Sequence, residues 1–95
     1  MTPAPEPWRL RVSSAADRQL GDLPPRIALA IIEFMTHGLV QDPRRVSKEL
    51  TGAFVGLRSA RRGDHRLIVE LDDEARAVVV VRVAHRSVVY RPPAP

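Results

Sequence analysis

Residues 61–66 read Arg-Arg-Gly-Asp-His-Arg, which sets Arg61, Arg62 and Arg66 with His65 around a single Gly-Asp turn. Like charges gathered at a hairpin repel one another and add nothing to a core, so the pattern needs another reason. Arginine chemistry supplies one: its planar fork of N–H donors matches phosphate oxygens, and it stays charged at any physiological pH. From Arg58 onward the chain carries eight arginines, at 58, 61, 62, 66, 76, 82, 86 and 91, against five acids. Three of those acids, Asp72, Asp73 and Glu74, fall in one turn. Over the whole chain arginine outnumbers lysine fourteen to one, a bias that a GC-rich genome also produces. Where the arginines lie in the fold must decide between a phosphate-bearing ligand and a compositional trend. No cysteine is present and the three histidines stand apart. That argues against a zinc site, and the residues ask for no metal and no cofactor.

These residues need elements to hold them. The 95 residues, 44% of them hydrophobic, suit one domain with a modest core. Pro-rich stretches at 1–7 and 92–95 read as tails around a fold over 8–91. No apolar run reaches the ~20 residues of a membrane helix. The N-terminus lacks the basic and apolar regions of a signal peptide, so a cytoplasmic protein is expected.

Trp8, Leu10 and Val12 alternate with Arg9 and Arg11, the pattern of a strand with one buried side, and Trp8 is expected in the core. Ser13 or Ser14 then caps a short helix that Gly21 ends. Pro24-Pro25 open a second, amphipathic helix. In it Ile27, Ile31, Phe34 and Met35 form one stripe, widened by Ala28, Ala30 and Ile32, with Gly38 as the stop. His37 beside that stop suits a contact with the helix C-terminus. Residues 40–54 read as a loop with at most one helical turn. Three apolar segments follow, separated by turn residues. The near-continuous valine run of 77–84 is the clearest strand, buried on both faces and hence central.

The order is β-α-α-β-β-β: an α+β domain with a helical hairpin on one face of a small, mainly antiparallel four-stranded sheet. The N-terminal strand pairs out of sequential order. The other sheet face stays open and carries alternating arginines. Strand pairing puts the acidic turn and the Gly-Asp turn at opposite ends, and returns His85, Arg86 and Tyr90 to the basic end. A phosphate-bearing ligand is the expected reason for the charge.

The stretches 23–35, 42–54 and 58–91 resemble the RelE/ParE superfamily of bacterial toxins, and the likeness extends over 8–91. Its most specific parts are Gly63-Asp64-His65-Arg66-Leu67 and the terminal His85-Arg86 followed by Tyr90. The resemblance implies the RelE-like fold and the toxin role in a type II toxin–antitoxin system. In the RelE branch that role is ribosome-dependent, metal-independent cleavage of mRNA. It also implies a cognate antitoxin from a neighbouring gene, held in a hetero-oligomer. Cutting RNA without a metal needs a base for the ribose 2′-OH proton, cations where phosphorane charge grows, and an acid for the departing 5′ oxygen.

By this resemblance Arg66 takes the catalytic arginine position and stabilises the pentavalent phosphate, while Arg61 holds a flanking phosphate. His85 serves as general base or acid, and Tyr90 stacks on a base or shares in proton transfer. Arg86, Arg62, Arg58 and His65 complete the RNA- and phosphate-binding surface. Guanidinium groups from neighbouring strands are expected to converge with His85 in one hollow. The plain alternatives are a solvated strand arginine, a histidine ending a strand, and a tyrosine packed on the helices.

Two departures stand out. Certain RelE enzymes carry proton-transferring lysines seven and nine positions before the catalytic arginine, where this chain has Ser59 and Leu57. His65 stands where tyrosine is usual. Lys48 matches a family lysine but reads as a solvated loop residue. Two other functions use the same fold: ParE-like inhibition of DNA gyrase, and RNA or partner binding without catalysis.

Overall fold

In the computed structural model, which describes residues 6–90, the chain forms two helices and one five-stranded sheet. Apart from Glu6 and Pro7, the two expected Pro-rich tails lie outside the described residues, as does Arg91. Strand β1 (Arg9–Val12) leads into helix α1 (Ser14–Gly21) and then helix α2 (Pro25–Phe34). Four more strands follow: β2 (Ser47–Glu49), β3 (Arg58–Arg62), β4 (His65–Asp72) and β5 (Ala77–His85). Their spatial order is β1-β5-β4-β3-β2, with β1 parallel to β5 and every other pair antiparallel. The expected α+β layering holds, and β1 does pair out of sequence. The sheet nevertheless has five strands rather than four. The extra one, β2, lies in the segment expected to be loop, because three residues are too few to show a period of two. The single helical turn of that segment is a 3₁₀ turn at Gly52–Phe54.

Ser13 begins α1 as expected: its hydroxyl accepts the Ala16 N–H at 3.0 Å. Pro24 and Pro25 open α2, where a missing N–H costs no helical bond. Ile31, Met35 and Leu39 are buried against the sheet with Ala16 and Leu20 of α1. Ile27 and Ile32, expected on the same stripe, remain exposed. Gly38 does not stop the helix. The backbone widens into a π-helical turn over Met35–Leu39, and helical conformation runs on to Gln41 before Pro43. A Cβ at Gly38 would meet the Phe34 ring at 3.4 Å, an ordinary contact, so the helix passes through this position without requiring glycine. The His37 Nδ1 lies 2.9 Å from the Glu33 carbonyl, a contact within the helical run rather than at its end.

One irregularity decides which side chains share a face. Val69 pairs with Val80, but Ile68 pairs with Arg82, so Val81 is an extra residue in β5. Strand β1 accompanies β5 only as far as Val80. Beyond that point α1 takes over the free backbone groups. The Ser13 hydroxyl donates to the Val81 carbonyl at 3.0 Å, and the Gln19 Oε1 accepts the Val83 N–H at 2.7 Å. The bulge reverses the strand's alternation. Val78 and Val80 face the helices before it, and Val83 does so after it. Arg82 and His85 therefore stand on the faces opposite to those that a regular strand gives them.

The core lies between the helices and one sheet face, and includes Leu67, Val69, Val78, Val80 and Val83. On the other face Ile68 is also buried. There the last described residues fold back over the sheet: Arg82 donates to the Val89 carbonyl at 2.7 Å, and Val89 is fully buried. That face is thus partly covered rather than fully open. The valine strand β5 is interior, as expected.

Candidate functional site

On the face away from the helices, Arg61 and Arg66 are direct cross-strand partners on β3 and β4. Like charges in that position repel. Among the described residues neither forms an ion pair. Arg66 instead donates to the carbonyls of Gly63 and His65, each at 3.2 Å. Gly63 adopts φ +61°, a left-handed turn conformation that glycine reaches without strain. The tight hairpin and the pleat together aim two uncompensated guanidinium groups to the same side.

These arginines line a cleft of about 450 Å³ with Lys48, Glu49, Ser59 and Tyr90, and with the apolar Val46 and Leu50. Tyr90 reaches the cleft because the chain folds back after β5. Its hydroxyl donates to the Ser59 hydroxyl at 3.0 Å, and its ring meets Phe54 edge to face at 5.8 Å. Arg82 fixes the adjacent Val89 carbonyl, so a charge-assisted bond sets where Tyr90 begins. Lys48 stands directly opposite Ser59 in the β2–β3 register.

The other expected site residues lie elsewhere. His65 and His85 are cross-strand partners on the helix side, their rings edge to face at 5.6 Å. They border a separate hollow of about 490 Å³ beside Ile27, Ala30 and Ile31 of α2. The expected convergence of His85 with Arg66 therefore fails, and the Val81 bulge is the physical reason: in a regular strand His85 falls on the Arg66 face. The Ser87 N–H donates to the His85 Nδ1 at 3.1 Å, so that nitrogen acts as an acceptor. Arg62 pairs with His65 and shares its side.

Arg58, expected on the phosphate-binding surface, also faces the helix side, where its guanidinium is held by neighbouring residues. Its Nε donates to the Ser47 hydroxyl at 2.7 Å, and its Nη2 donates to the carbonyls of Ser47 and Arg44 at 3.1 and 3.3 Å. Glu49 lies 3.5 Å from its Nη1. Arg86 sits at the sheet's end, where its N–H donates to the Asp64 carbonyl at 2.8 Å and its Nε is 3.9 Å from the Asp64 carboxylate.

At the far end of the sheet, the acidic turn is tied down. Arg44 grips Asp73 through two parallel hydrogen bonds of 2.9 and 2.8 Å. This hydrogen-bonded pairing holds the Asp73 carboxyl below its usual range and raises the Arg44 guanidinium. Trp8 lies between Arg44 and Arg76, at 5.8 and 5.1 Å from its ring centroid, partly buried rather than presented to a base. The acids thus stay at the end opposite to the arginine cleft.

The description "ParE toxin of type II toxin-antitoxin system, parDE" belongs to a family model that matches residues 10–90. The chain belongs to this toxin family. It is 45% identical over 85 residues to Toxin RelG of Mycobacterium tuberculosis, covering 90% of this chain and 98% of that one. Toxin RelE of the same organism is 39% identical over 85 residues, covering 90% and 88%. Among solved structures, the toxin–antitoxin complex RelBE2 from Mycobacterium tuberculosis superposes with a TM-score of 0.82 at 44% identity, covering 85% of this chain and 93% of that one. The intact RelBE complex of E. coli shares the fold at a TM-score of 0.69, with 18% identity over 82% of this chain and 95% of that one. The RelE/ParE resemblance is thereby established, together with the type II toxin class.

For this RelE/ParE toxin the departures acquire positions. Ser59 points into the cleft and holds Tyr90, while Leu57 ends the loop before β3, its N–H donating to the Phe54 carbonyl at 3.1 Å. Sequence reasoning did not place Lys48 in the cleft, nor Phe54 and Arg82 as the residues that hold Tyr90 and its neighbour Val89. Lys48 reads as a solvated loop residue despite its match to a family lysine, because β2, whose register with β3 sets its face, is not visible in the sequence. For Arg82 nothing in the local pattern announced the bulge that turns it outward.

Proposed function

We propose that this toxin is a ribosome-dependent mRNA endonuclease that needs no metal and acts in the cytoplasm. The observation that carries the reading is the Arg61–Arg66 pair: two guanidinium groups held in repulsion on rigid strands beside Tyr90. Such an arrangement is unfavourable alone and favourable around a phosphodiester, whose charge rises further in the transition state. The ribose 2′ oxygen attacks the adjacent phosphorus, its proton leaves to water, the bond to the 5′ oxygen breaks, and that oxygen takes up a proton from water. The products are a 2′,3′-cyclic phosphate and a 5′ hydroxyl. Arg66 and Arg61 hold the phosphorane oxygens, and rigid strands keep them aligned. Tyr90, 43% exposed at the cleft wall, offers a face on which an unstacked base rests. His85 has no part in this chemistry. Among the described residues no helix is long and apolar enough to cross a membrane.

The partner is a cognate antitoxin from a neighbouring gene, as its relatives solved as RelBE complexes suggest. Primer extension on transcripts collected after induction tests the reading. Codon-linked breaks in translated messages support it. Intact messages with damaged chromosomes point instead to gyrase as the target and overturn it.

A further inference from the structure

We propose that Arg82 is the positioning residue for Tyr90, holding its ring in the cleft through the backbone of Val89. For its effect on rate the assignment rests on the mRNA-cleavage reading, in which Tyr90 supports a base. Register supplies the geometry. Ser59 pairs with Ile68 and Ile68 with Arg82, so these three residues form one row across β3, β4 and β5 on the face away from the helices. The chain after β5 crosses the sheet over this row. Arg82 Nη1 donates to the Val89 carbonyl at 2.7 Å, and the Tyr90 hydroxyl donates to the Ser59 hydroxyl at 3.0 Å. Ile68, between the two bonds, is 2% exposed, and Val89 is 0% exposed.

Neighbouring strands lie about 4.8 Å apart, so the row carries the chain about 10 Å from its anchor on β5 to the cleft wall on β3. The strength of each hold decides what fixes the ring. The Tyr90–Ser59 bond joins two neutral, exposed hydroxyls, and Phe54 offers only an edge contact from a 3₁₀ turn. The Arg82 bond is charge-assisted and partly buried, which makes it the strongest of the three. The Val89 N–H already donates to the His85 carbonyl at 3.0 Å. Arg82 therefore fixes the second polar group of Val89 and leaves the next residue little freedom to turn.

Arg82 stands in this row only because of the bulge at Val81, since a regular strand turns it toward the helices. Ser13 and Gln19 hold the bulge through Val81 and Val83, so the anchor is built outward from α1 and its cap. Its task differs from that of Arg61 and Arg66. Those two line the cleft, whereas Arg82 does not. Its guanidinium is directed at a carbonyl of the chain itself, so it acts through Tyr90 rather than on a phosphate.

Tyr90 is the chain's sole tyrosine, so full-length toxin made with 3-fluorotyrosine gives one fluorine resonance that reports this ring alone. In Arg82→Met, which keeps an unbranched stem, the resonance is expected to move toward its position in unfolded toxin. In Arg82→Lys, which keeps a charged donor for the carbonyl, it is expected to stay near the wild-type position. Ribosomes programmed with a short mRNA give the second readout. Arg82→Met is expected to slow cleavage about tenfold in the wild-type background and to add nothing in Tyr90→Ala, with cooperative melts throughout. An unmoved resonance in Arg82→Met overturns the assignment. So does a loss that multiplies with that of Tyr90→Ala, because Arg82 then acts on its own. An Arg82→Met protein without a cooperative melt assigns the residue to the fold and overturns it too. A wild-type toxin that leaves the message intact removes the endonuclease reading, and the resonance alone then decides whether Arg82 places the ring.

Discussion

Arg66 and His85 lie on opposite faces of the sheet. Arg66 pairs with Ala84 and looks into the cleft, while His85, one residue further, pairs with His65 on the helix side. The two most chemistry-bearing parts of the family motif are thus separated by the thickness of a β-sheet. On the proposed reading, the catalytic work falls to groups on the arginine face.

The cross-strand pair of Arg61 and Arg66 implies a conflict between function and stability. Replacing Arg61 with Thr removes the repulsion and keeps a residue suited to a strand. The variant is expected to be more stable than the wild type by about 0.2–1 kcal/mol, read from urea denaturation. A lower urea midpoint at an unchanged slope contradicts the repulsion.

Tyr90 offers two separable contributions, a ring and a hydroxyl that meets Ser59. If the ring stacks on a base, Tyr90→Ala loses about 1–3 kcal/mol of RNA binding. Tyr90→Phe keeps the stacking face and is expected to retain most of it. Titration of ribosome-bound message with each variant measures both. Equal losses in the two variants mean that the hydroxyl, not the face, is the important part.

The fold's core elements were legible because they rest on local signals. Ser13, Pro24-Pro25, the Gly63-Asp64 turn and the valine run each act within a few residues. Two features were not legible. Strand β2 is too short to show alternation, which hid Lys48. The bulge at Val81 is held by Ser13 and Gln19, whose bonding partners lie 68 and 64 positions away. A tertiary contact, not a local pattern, therefore chose the face of His85. The arginine positions on β3 and β4 were readable because those strands pair without a break from Arg58 to Val69.

The Arg44–Asp73 pair gives a pH dependence with a definite sign. Asp73 is held below its usual range by the Arg44 hydrogen bond, so it binds its proton less readily folded than unfolded. Its contribution is present above the ordinary carboxylate value and is lost as pH falls through the lowered one. Thermal melts across the acid range are expected to fall less steeply for Asp73→Asn than for the wild type. Parallel curves contradict a folded-state pairing in solution.

Cleavage of a ribosome-bound message by Arg66→Ala and His85→Ala, assayed side by side, tests the arginine face most directly. Arg66→Ala is expected to lose about 100-fold or more in rate, the scale of removing a preorganised charge-stabilising group, while melting cooperatively. His85→Ala is expected to keep a rate close to the wild type. The opposite result, a dead His85→Ala beside an active Arg66→Ala, contradicts the account and moves the chemistry to the helix side of the sheet.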